Sequence, residues 1–477
     1  MKKILFVGAE ALPFAATGGL GDVLGSLPAA LAAEGADVRV VMPLYAAVSP
    51  AFREQMEQVA VLEVPLAWRR QYCGIFRLLR NGVTYYFIDN EYYFAREGGL
   101  YGHFDDGERY AFFCRAALEM LPHIDFYPDV LHAHDWQAAL SVVYLNRHYR
   151  HISAYADMRT VFTIHNIEYQ GKYDFSILGD VFDLPEDMHD VMAYDDCINL
   201  MKGAILCADR VSTVSPRYAE EIMSPEYAHG LDAILRDHAF KVCGILNGID
   251  YGYYDPKDAN SIVQAFSYRS QDKKSLNKLA LQREVCLPER ADVPLLTVIT
   301  RLVAHKGIDL ISQMIRSLVA SEDVQLVVLG MGESCYENLF AELQYEFPQK
   351  VAALLTYDRA LAKRIYAASD IFLMPSRSEP CGLAQMIASR YGAIPVVRET
   401  GGLFDSIKGY WEDGRTIHGN GFTFAGYTPE ELDDRVRAAL ALWRDEPRRR
   451  RLVSRIMRTD FSWTAAAKQY LSMYEAL

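Results

Sequence analysis

Short apolar runs alternate along the chain with longer stretches in which apolar residues recur every three or four positions. The short runs predict strands and the longer stretches predict helices. Helices are expected at residues 20–33 and 308–319. Strands are expected at residues 4–8, 37–42, 84–88, 130–133, 160–164 and 210–214, then again at 295–300, 325–329, 371–374 and 394–397. This alternation predicts an α/β fold with parallel sheets that carry helices on both faces.

The pattern begins afresh in the second half, and 477 residues are too many for one hydrophobic core. We therefore expect two Rossmann-like, doubly wound domains, residues 1–244 and 245–460, whose strand ends face a cleft where ligands bind. The last segment, residues 461–477, is expected to form a helix that crosses back to the first domain.

Composition narrows the class of protein. The chain is 51% hydrophobic and 23% charged, as in ordinary globular enzymes, and its net charge of −13 disfavours nucleic acid as a partner. No apolar run has the length of a membrane span, so no membrane contact is expected. The eight cysteines form no Cys-x-x-Cys pair, which indicates neither zinc nor a disulfide framework and fits a cytoplasmic location.

Residues 370–406 contain the strand–turn–helix pattern twice. The first turn carries Glu379 and leads into a helix near Cys381 and Gly382, and the second is the pair Gly401-Gly402. Glycine turns at helix starts direct backbone N–H groups towards one point, which suits a phosphate group. A phosphate cradle beside a carboxylate indicates chemistry on a sugar attached to a nucleotide.

Similar signals follow three other predicted strands. Gly18-Gly19 precedes the first helix, where Asp22 could orient a sugar hydroxyl, although such turns also occur for steric reasons alone. Asp135, in the segment HAHDW, and His165, in the segment TIHN, both lie at strand ends. In α/β folds this edge carries the catalytic groups, and an imidazole there can donate to a hydroxyl or carbonyl group.

Arg301 and Lys306 flank the turn after the strand at residues 295–300. Two cations at a strand end can neutralise a diphosphate leaving group. The chain contains no Asp-x-Asp, so no metal is expected, and positive side chains would take the place of an ion.

Several of these segments, in this order, resemble motifs of the bacterial glycogen synthases and plant starch synthases (glycosyltransferase family 5). The matching segments are TGGLGDV, HAHDWQA, TIHNIEYQG, ILNGID, RLVAHKG, LMPSRSEPCGLAQ and RYGAIPVVRETGGL. The resemblance implies a GT-B fold, and retaining transfer of glucose from ADP-glucose to an α-1,4-glucan such as glycogen or a malto-oligosaccharide, without metal or other cofactor. It also implies that the first domain lies on the acceptor side and that the second binds the nucleotide sugar.

The resemblance further implies roles for single residues. Arg301 and Lys306 would bind the donor diphosphate, Glu379 would support positive charge on the glucose ring, and His165 would lie near the glucose 6-hydroxyl. The remaining positions match the glucose pocket (Asp135, Asn247), the donor site (Asp22, Cys381), the ring that stacks on the base (Tyr357), and backbone groups that face phosphate (Gly18, Gly19, Gly382, Leu383, Gly401, Gly402).

The chain departs from the family pattern at Ala16, where a lysine is usual, at Gln137 and at Ala384. A lost lysine–phosphate contact is worth about 1.5–3 kcal/mol, so donor binding or donor choice would change first. Two alternatives therefore stay open, a synthase that prefers UDP-glucose and a glucan-binding paralogue with little catalysis. A sugar-nucleotide epimerase or a phosphorylase fits the motifs less well.

Overall fold

The computed structural model describes residues 1–414 and 416–477. The chain divides into two compact units, Met1–Gly248 with Trp463–Leu477, and Ile249–Ser462. Each unit is built on a largely parallel sheet, as the alternation of strand and helix predicts.

The first unit contains a nine-stranded sheet in the order β12-β11-β7-β6-β1-β2-β5-β4-β3 and a small antiparallel sheet in the order β8-β10-β9. The strands are β1 (Lys3–Val7), β2 (Asp37–Pro43), β3 (Glu57–Leu66), β4 (Arg69–Arg80), β5 (Val83–Asp89), β6 (Val130–His134), β7 (Arg159–Ile164), β8 (Lys172–Tyr173), β9 (Ala193–Tyr194), β10 (Cys197–Asn199), β11 (Arg210–Thr213) and β12 (Val242–Gly244).

The helices of the first unit include short single-turn segments as well as the longer helices that cover the sheet. They are α1 (Gly19–Ala33), α2 (Pro50–Arg53), α3 (Glu91–Phe94), α4 (Asp106–Glu119), α5 (Trp136–Tyr144), α6 (Ser153–Ala156), α7 (Ile177–Asp180), α8 (His189–Met192), α9 (Leu200–Cys207), α10 (Pro216–Glu221) and α11 (Asp232–Asp237).

The sequence pattern missed the hairpin of β3 and β4, which pairs antiparallel with β5 at one edge of the sheet. Its turn is Ala67-Trp68, which lacks the glycine or asparagine that usually marks a two-residue hairpin. Pro65 lies in β3, and proline is accepted there because β3 is an edge strand.

The second unit contains a parallel sheet in the order β15-β14-β13-β16-β17-β20 and a two-stranded antiparallel sheet of β18 and β19. The strands are β13 (Leu295–Ile299), β14 (Gln325–Leu329), β15 (Val351–Leu354), β16 (Ile371–Met374), β17 (Ile394–Arg398), β18 (Trp411–Asp413), β19 (Thr416–His418) and β20 (Phe422–Phe424). The helices are α12 (Lys274–Glu284), α13 (Ile308–Ser321), α14 (Ser334–Glu346), α15 (Arg359–Ala368), α16 (Ala384–Arg390), α17 (Gly401–Ser406), α18 (Pro429–Arg444) and α19 (Glu446–Arg458).

The central strands of both sheets are covered on two faces. β6, β14 and β16 are buried at every position, which explains why their sequences are continuous apolar runs rather than alternating ones. The last helix, α20 (Trp463–Glu475), belongs to the first unit, where it packs on α1. Among the helices of residues 1–414 and 416–477, none is long and apolar enough to cross a bilayer.

Candidate active site

The strand order reverses beside the first strand of each unit. β1 lies between β2 and β6, and β13 lies between β14 and β16. At such a switch point the two chain connections leave on opposite sides, so the adjacent strand ends are left open to a ligand. The sequence-predicted residues follow these strands: Gly18, Gly19 and Asp22 come after β1, Asp135 comes after β6, Arg301 and Lys306 come after β13, and Glu379 comes after β16.

In the second unit, Lys306 and Glu379 form a part-buried ion pair. Lys306 Nζ donates to Glu379 Oε2 at 2.7 Å, and the buried hydroxyl of Ser376 donates to the same oxygen at 3.0 Å. Glu379 itself is 6% exposed. A carboxylate buried to this degree needs such partners, and they hold it in one place at the end of β16.

Two glycines fix the loop that carries Glu379. The Gly402 N–H donates to the Glu379 carbonyl at 3.0 Å, and a Cβ on Gly402 would lie 2.0 Å from the Cys381 carbonyl oxygen. Gly307 has φ +78°, and a Cβ there would lie 2.2 Å from the Pro375 carbonyl oxygen. Only glycine permits both approaches, so the turns after β13, β16 and β17 pack directly against one another.

Arg301 is exposed, and its side chain forms no hydrogen bond or ion pair with the part of the chain that the structure describes. Tyr357 lies between β15 and α15 and is 80% exposed. Cys381 is buried and forms no disulfide, Gly382 has φ +70°, and Leu383 is the residue before α16. These residues lie on the loops at the carboxyl ends of their strands.

In the first unit, a buried carboxylate that the sequence reasoning missed holds the glycine-rich turn. Glu10, 3% exposed, accepts hydrogen bonds from the Thr17 N–H at 2.6 Å, the Thr17 hydroxyl at 2.7 Å and the Tyr101 hydroxyl at 2.5 Å. The Gly18 N–H also points to Glu10, at 3.3 Å. A glutamate three residues after β1 and seven residues before Thr17 was the signal available in the sequence.

Two of the glycine N–H groups that the sequence predicts to face a phosphate donate to protein groups in this structure. Gly18 donates to Glu10, and Gly402 donates to the Glu379 carbonyl, so both N–H groups position protein groups instead. Gly18 and Gly19 are both exposed, and open space surrounds the position of a Cβ at each of them. Asp22, in the first turn of α1, is partly buried.

Asp135 has a backbone conformation that only glycine adopts readily, with φ +58° and ψ 179°. Its Oδ1 accepts a hydrogen bond from the His165 N–H at 2.7 Å. Burial raises the pKa of the Asp135 carboxyl to about 7, although this N–H and that of Asn166 act in the opposite direction. Strain of this kind is concentrated at functional sites.

His165 belongs to a group of three histidine rings. His132 and His134 lie on one face of β6 with ring centroids 4.1 Å apart, and His134 Nδ1 lies 2.9 Å from His165 Nε2. Burial lowers the pKa of His165 to about 3 and the pKa values of His132 and His134 well below the usual range. All three imidazoles are therefore neutral at neutral pH.

Two further residues complete the description of the site. Asn247 follows β12 and is 5% exposed, and its Oδ1 has no hydrogen-bond partner among the residues that the structure describes. Ser376, which donates to Glu379, was missed by the sequence reasoning because a serine before a loop carries no distinctive signal. Over residues 1–414 and 416–477, no group of three or more His, Cys, Asp or Glu side chains is arranged to hold a metal ion.

Comparison with known proteins gives one family over nearly the whole chain. The starch synthase catalytic domain matches residues 3–237, and the glycosyl transferases group 1 domain matches residues 286–456. Glycogen synthase from Geobacillus thermodenitrificans is 47% identical over 477 residues, which cover 100% of this chain and 98% of that one. Glycogen synthase from Streptococcus pneumoniae is 46% identical over 480 residues, covering 100% and 99%.

Solved structures agree. The catalytic domain of starch synthase IV from Arabidopsis thaliana, bound to ADP and acarbose, is 34% identical with a TM-score of 0.91, covering 100% of this chain and 99% of that one. Sucrose-phosphate synthase from Thermosynechococcus elongatus, 16% identical with a TM-score of 0.62 over 100% of this chain and 99% of that one, shares the fold alone. The chain belongs to the family of bacterial glycogen synthases and plant starch synthases, which are hexosyltransferases with the GT-B fold.

Proposed function

We propose that this chain is a glycogen synthase that transfers glucose from ADP-glucose to the non-reducing end of an α-1,4-glucan, glycogen or a malto-oligosaccharide, with retention at the anomeric carbon. The structural observation that carries the proposal is the Lys306–Glu379 pair at the switch point of the second unit. The glycogen synthases at 46–47% identity support the reaction, and the starch synthase IV domain bound to ADP and acarbose supports the donor and acceptor classes.

The second domain, proposed as residues 245–460, binds the donor. Arg301 has an exposed guanidinium that can grip the diphosphate as a fork, and Lys306 adds a point charge. Charge-assisted contacts of this kind are worth about 1.5–3 kcal/mol each. They stabilise the negative charge that builds up as the diphosphate leaves. Backbone groups of Gly382 and Leu383 face the phosphates, Cys381 lines the donor site, and Tyr357 stacks on the base.

Glu379 stabilises the positive charge that develops on the glucose ring. Its partners Lys306 and Ser376 keep it in place before the donor arrives, so little reorganisation is needed during the reaction. In the first domain, proposed as residues 1–244, Asp135 contacts the glucose hydroxyls and His165 lies near the 6-hydroxyl. Asn247, at the start of the proposed second domain, also contacts the glucose hydroxyls.

Donor choice depends on the turn after β1. Ala16 is exposed and carries no charge, and Glu10 already occupies the N–H groups of Thr17 and Gly18. This turn therefore supplies less positive potential to a nucleotide than a turn with lysine would. Arg301 and Lys306 carry the diphosphate instead, and a preference for UDP-glucose is the alternative outcome.

The role of Glu379 is tested with the variant Glu379→Gln, which keeps the shape of the side chain and removes its charge. We expect kcat for glucan extension to fall by about 100-fold or more, because the amide no longer stabilises the developing cation and leaves Lys306 without its counter-ion. Extension of a labelled malto-oligosaccharide from ADP-glucose gives the rate.

Glu289→Gln is the control for this experiment. Glu289 is an exposed carboxylate of the same unit that pairs with Arg283 at 2.7 Å. Its loss should leave the rate unchanged. A Glu379→Gln enzyme that works within a few-fold of the wild-type rate would refute the assigned role.

A further inference from the structure

The ring of His134 lies directly behind His165. The two nitrogens, His134 Nδ1 and His165 Nε2, are 2.9 Å apart, and the ring centroids are 5.2 Å apart. His134 is fully buried, whereas His165 is partly exposed. His165 Nε2 thus faces the buried ring of His134, and Nδ1 is the His165 nitrogen that does not pair with that ring.

Only one proton can lie between these two nitrogens, because both imidazoles are neutral. Either His134 donates through Nδ1–H, or His165 donates through Nε2–H. The choice fixes the other nitrogen of each ring, since a neutral imidazole has one N–H and one bare nitrogen.

His134 Nε2, the ring nitrogen that does not face His165, shows which of the two histidines donates. His134 Nε2 is buried and has no hydrogen-bond partner in the part of the chain that the structure describes. If His165 donated, this atom would carry a buried N–H without an acceptor, and orphaned buried N–H groups are rarer than under-satisfied acceptors. If His134 donates, the atom is a bare nitrogen, which is the more tolerable state.

We propose that His134 is a positioning residue that donates Nδ1–H to His165 Nε2 and thereby holds His165 as the tautomer with its proton on Nδ1. His165 then presents a fixed N–H donor to the sugar. Its main chain is held separately, through the hydrogen bond from its N–H to Asp135 Oδ1 at 2.7 Å. His134 orients the ring and Asp135 orients the backbone.

This arrangement suits a reaction that builds positive charge on the glucose ring, and to that extent the inference rests on the proposed function. A protonated imidazole beside that ring would repel the developing charge. A neutral imidazole with its proton on Nδ1 supplies a hydrogen bond to a hydroxyl without adding a positive charge. The donor is already oriented before substrate binds.

The tautomer can be measured without any activity. In protein labelled with 15N-histidine, long-range proton–nitrogen correlations distinguish a protonated from a bare ring nitrogen, and the variant His165→Gln identifies the signals of His165. We expect Nδ1 of His165 to be protonated and Nε2 to be bare. Protonation at Nε2 would overturn the inference, whether or not the enzyme proves to be a synthase.

Kinetics give a second, independent test. His134→Asn keeps an N–H near the position of Nδ1, whereas His134→Phe keeps a ring and removes the donor. We expect His134→Phe to lower kcat about tenfold or more while KM for ADP-glucose stays within about threefold, and His134→Asn to restore most of the rate. Equal rates for the two variants, or a His134→Phe rate close to wild type, would contradict the proposal.

His132→Phe is the matched control, because His132 is an equally buried ring on the same strand. Its ring nitrogens hydrogen-bond to the hydroxyls of Tyr474 and Thr163, at 2.7 Å and 2.5 Å, rather than to His165. This variant should lose thermal stability and keep kcat. If the wild-type protein extends no glucan, the proposed function fails, and the tautomer measurement alone decides this inference.

Discussion

Asp135 is a single residue whose conformation and burial both lower the stability of the native state. Its backbone lies at φ +58° and ψ 179°, which costs a non-glycine residue about 1–3 kcal/mol. Its carboxyl group is also poorly solvated, and this raises its pKa to about 7. Both features weaken the native state, and both accompany the position of this carboxyl group against the His165 main chain.

The raised pKa predicts a pH-dependent stability. The native carboxyl keeps its proton to about pH 7, whereas in the unfolded chain its pKa is near 3.8. Between these values the native state binds more protons than the unfolded chain. The stabilisation that this group contributes is therefore complete below pH 3.8 and is lost as pH rises through 7. In Asp135→Asn the side chain does not titrate, so the variant does not lose this stability as pH rises. The difference in Tm, variant minus wild type, should grow from pH 5 to pH 8, while kcat falls.

The exposed Asp196 provides the control. Asp196→Asn removes a carboxylate that is not enclosed, and its Tm relative to wild type should not follow this pH trend. A Tm difference for Asp135→Asn that stays constant from pH 5 to pH 8 would contradict the assigned burial of this carboxyl group.

At the scale of an element, α12 is a helix with a buried polar face. Lys274 Nζ donates to the carbonyls of Ala367 at 2.9 Å and Tyr391 at 2.8 Å, and burial lowers its pKa to about 7. Lys278 Nζ donates to Asp370 Oδ2 at 2.6 Å, and the same oxygen accepts from the Leu295 N–H at 2.9 Å. α12 therefore fixes the starts of β13 and β16, the strands that precede the turns with Lys306 and Glu379.

Replacing Lys278 should destabilise the second unit strongly. Lys278→Met fills the space but leaves the Asp370 carboxylate without its cation, which costs about 3–5 kcal/mol for a buried pair. We expect a clear fall in the urea midpoint of unfolding. Arg283→Met is the control on the same helix, because its pair with Glu289 is exposed to water and contributes little to stability. Equal shifts for the two variants would contradict this account of α12.

The sequence predicts those elements whose pattern is local. β14 and β16 follow directly from apolar runs. The turns after β6, β13 and β16 were searched for site residues because parallel strands present their carboxyl ends at one edge. The hairpin of β3 and β4 was missed because its turn lacks a glycine signal.

Contacts between distant parts of the chain were also beyond the pattern. His134 and His165 are 31 residues apart, and Glu10 reaches Tyr101 across 91 residues. The Gly402 N–H was expected to face a phosphate, but the loop packing directs it to the Glu379 carbonyl. The periodicity of apolar residues predicts helices and strands, but it does not predict which turns pack against one another.

At the scale of the molecule, the same plan occurs twice. Each unit has a largely parallel sheet whose strand order reverses beside its first strand, and the predicted chemical groups lie on the turns that follow. Where the chain enters and leaves the second unit, its two segments lie side by side, since the Ile249 N–H donates to the Phe461 carbonyl at 2.8 Å. The last helix, α20, belongs to the first unit, and the hydroxyl of its Tyr474 hydrogen-bonds to His132, one of the three grouped histidines.

The central claim is that the chain extends an α-1,4-glucan from ADP-glucose, although Ala16 stands where a lysine is usual. The most direct measurement is extension of a malto-oligosaccharide by the purified protein, with ADP-glucose and UDP-glucose in parallel and the linkage of the product determined. We predict faster extension from ADP-glucose, with new α-1,4 bonds. Extension mainly from UDP-glucose would contradict the proposed donor, and a primer that binds without being extended from either donor would contradict the claim of synthesis itself.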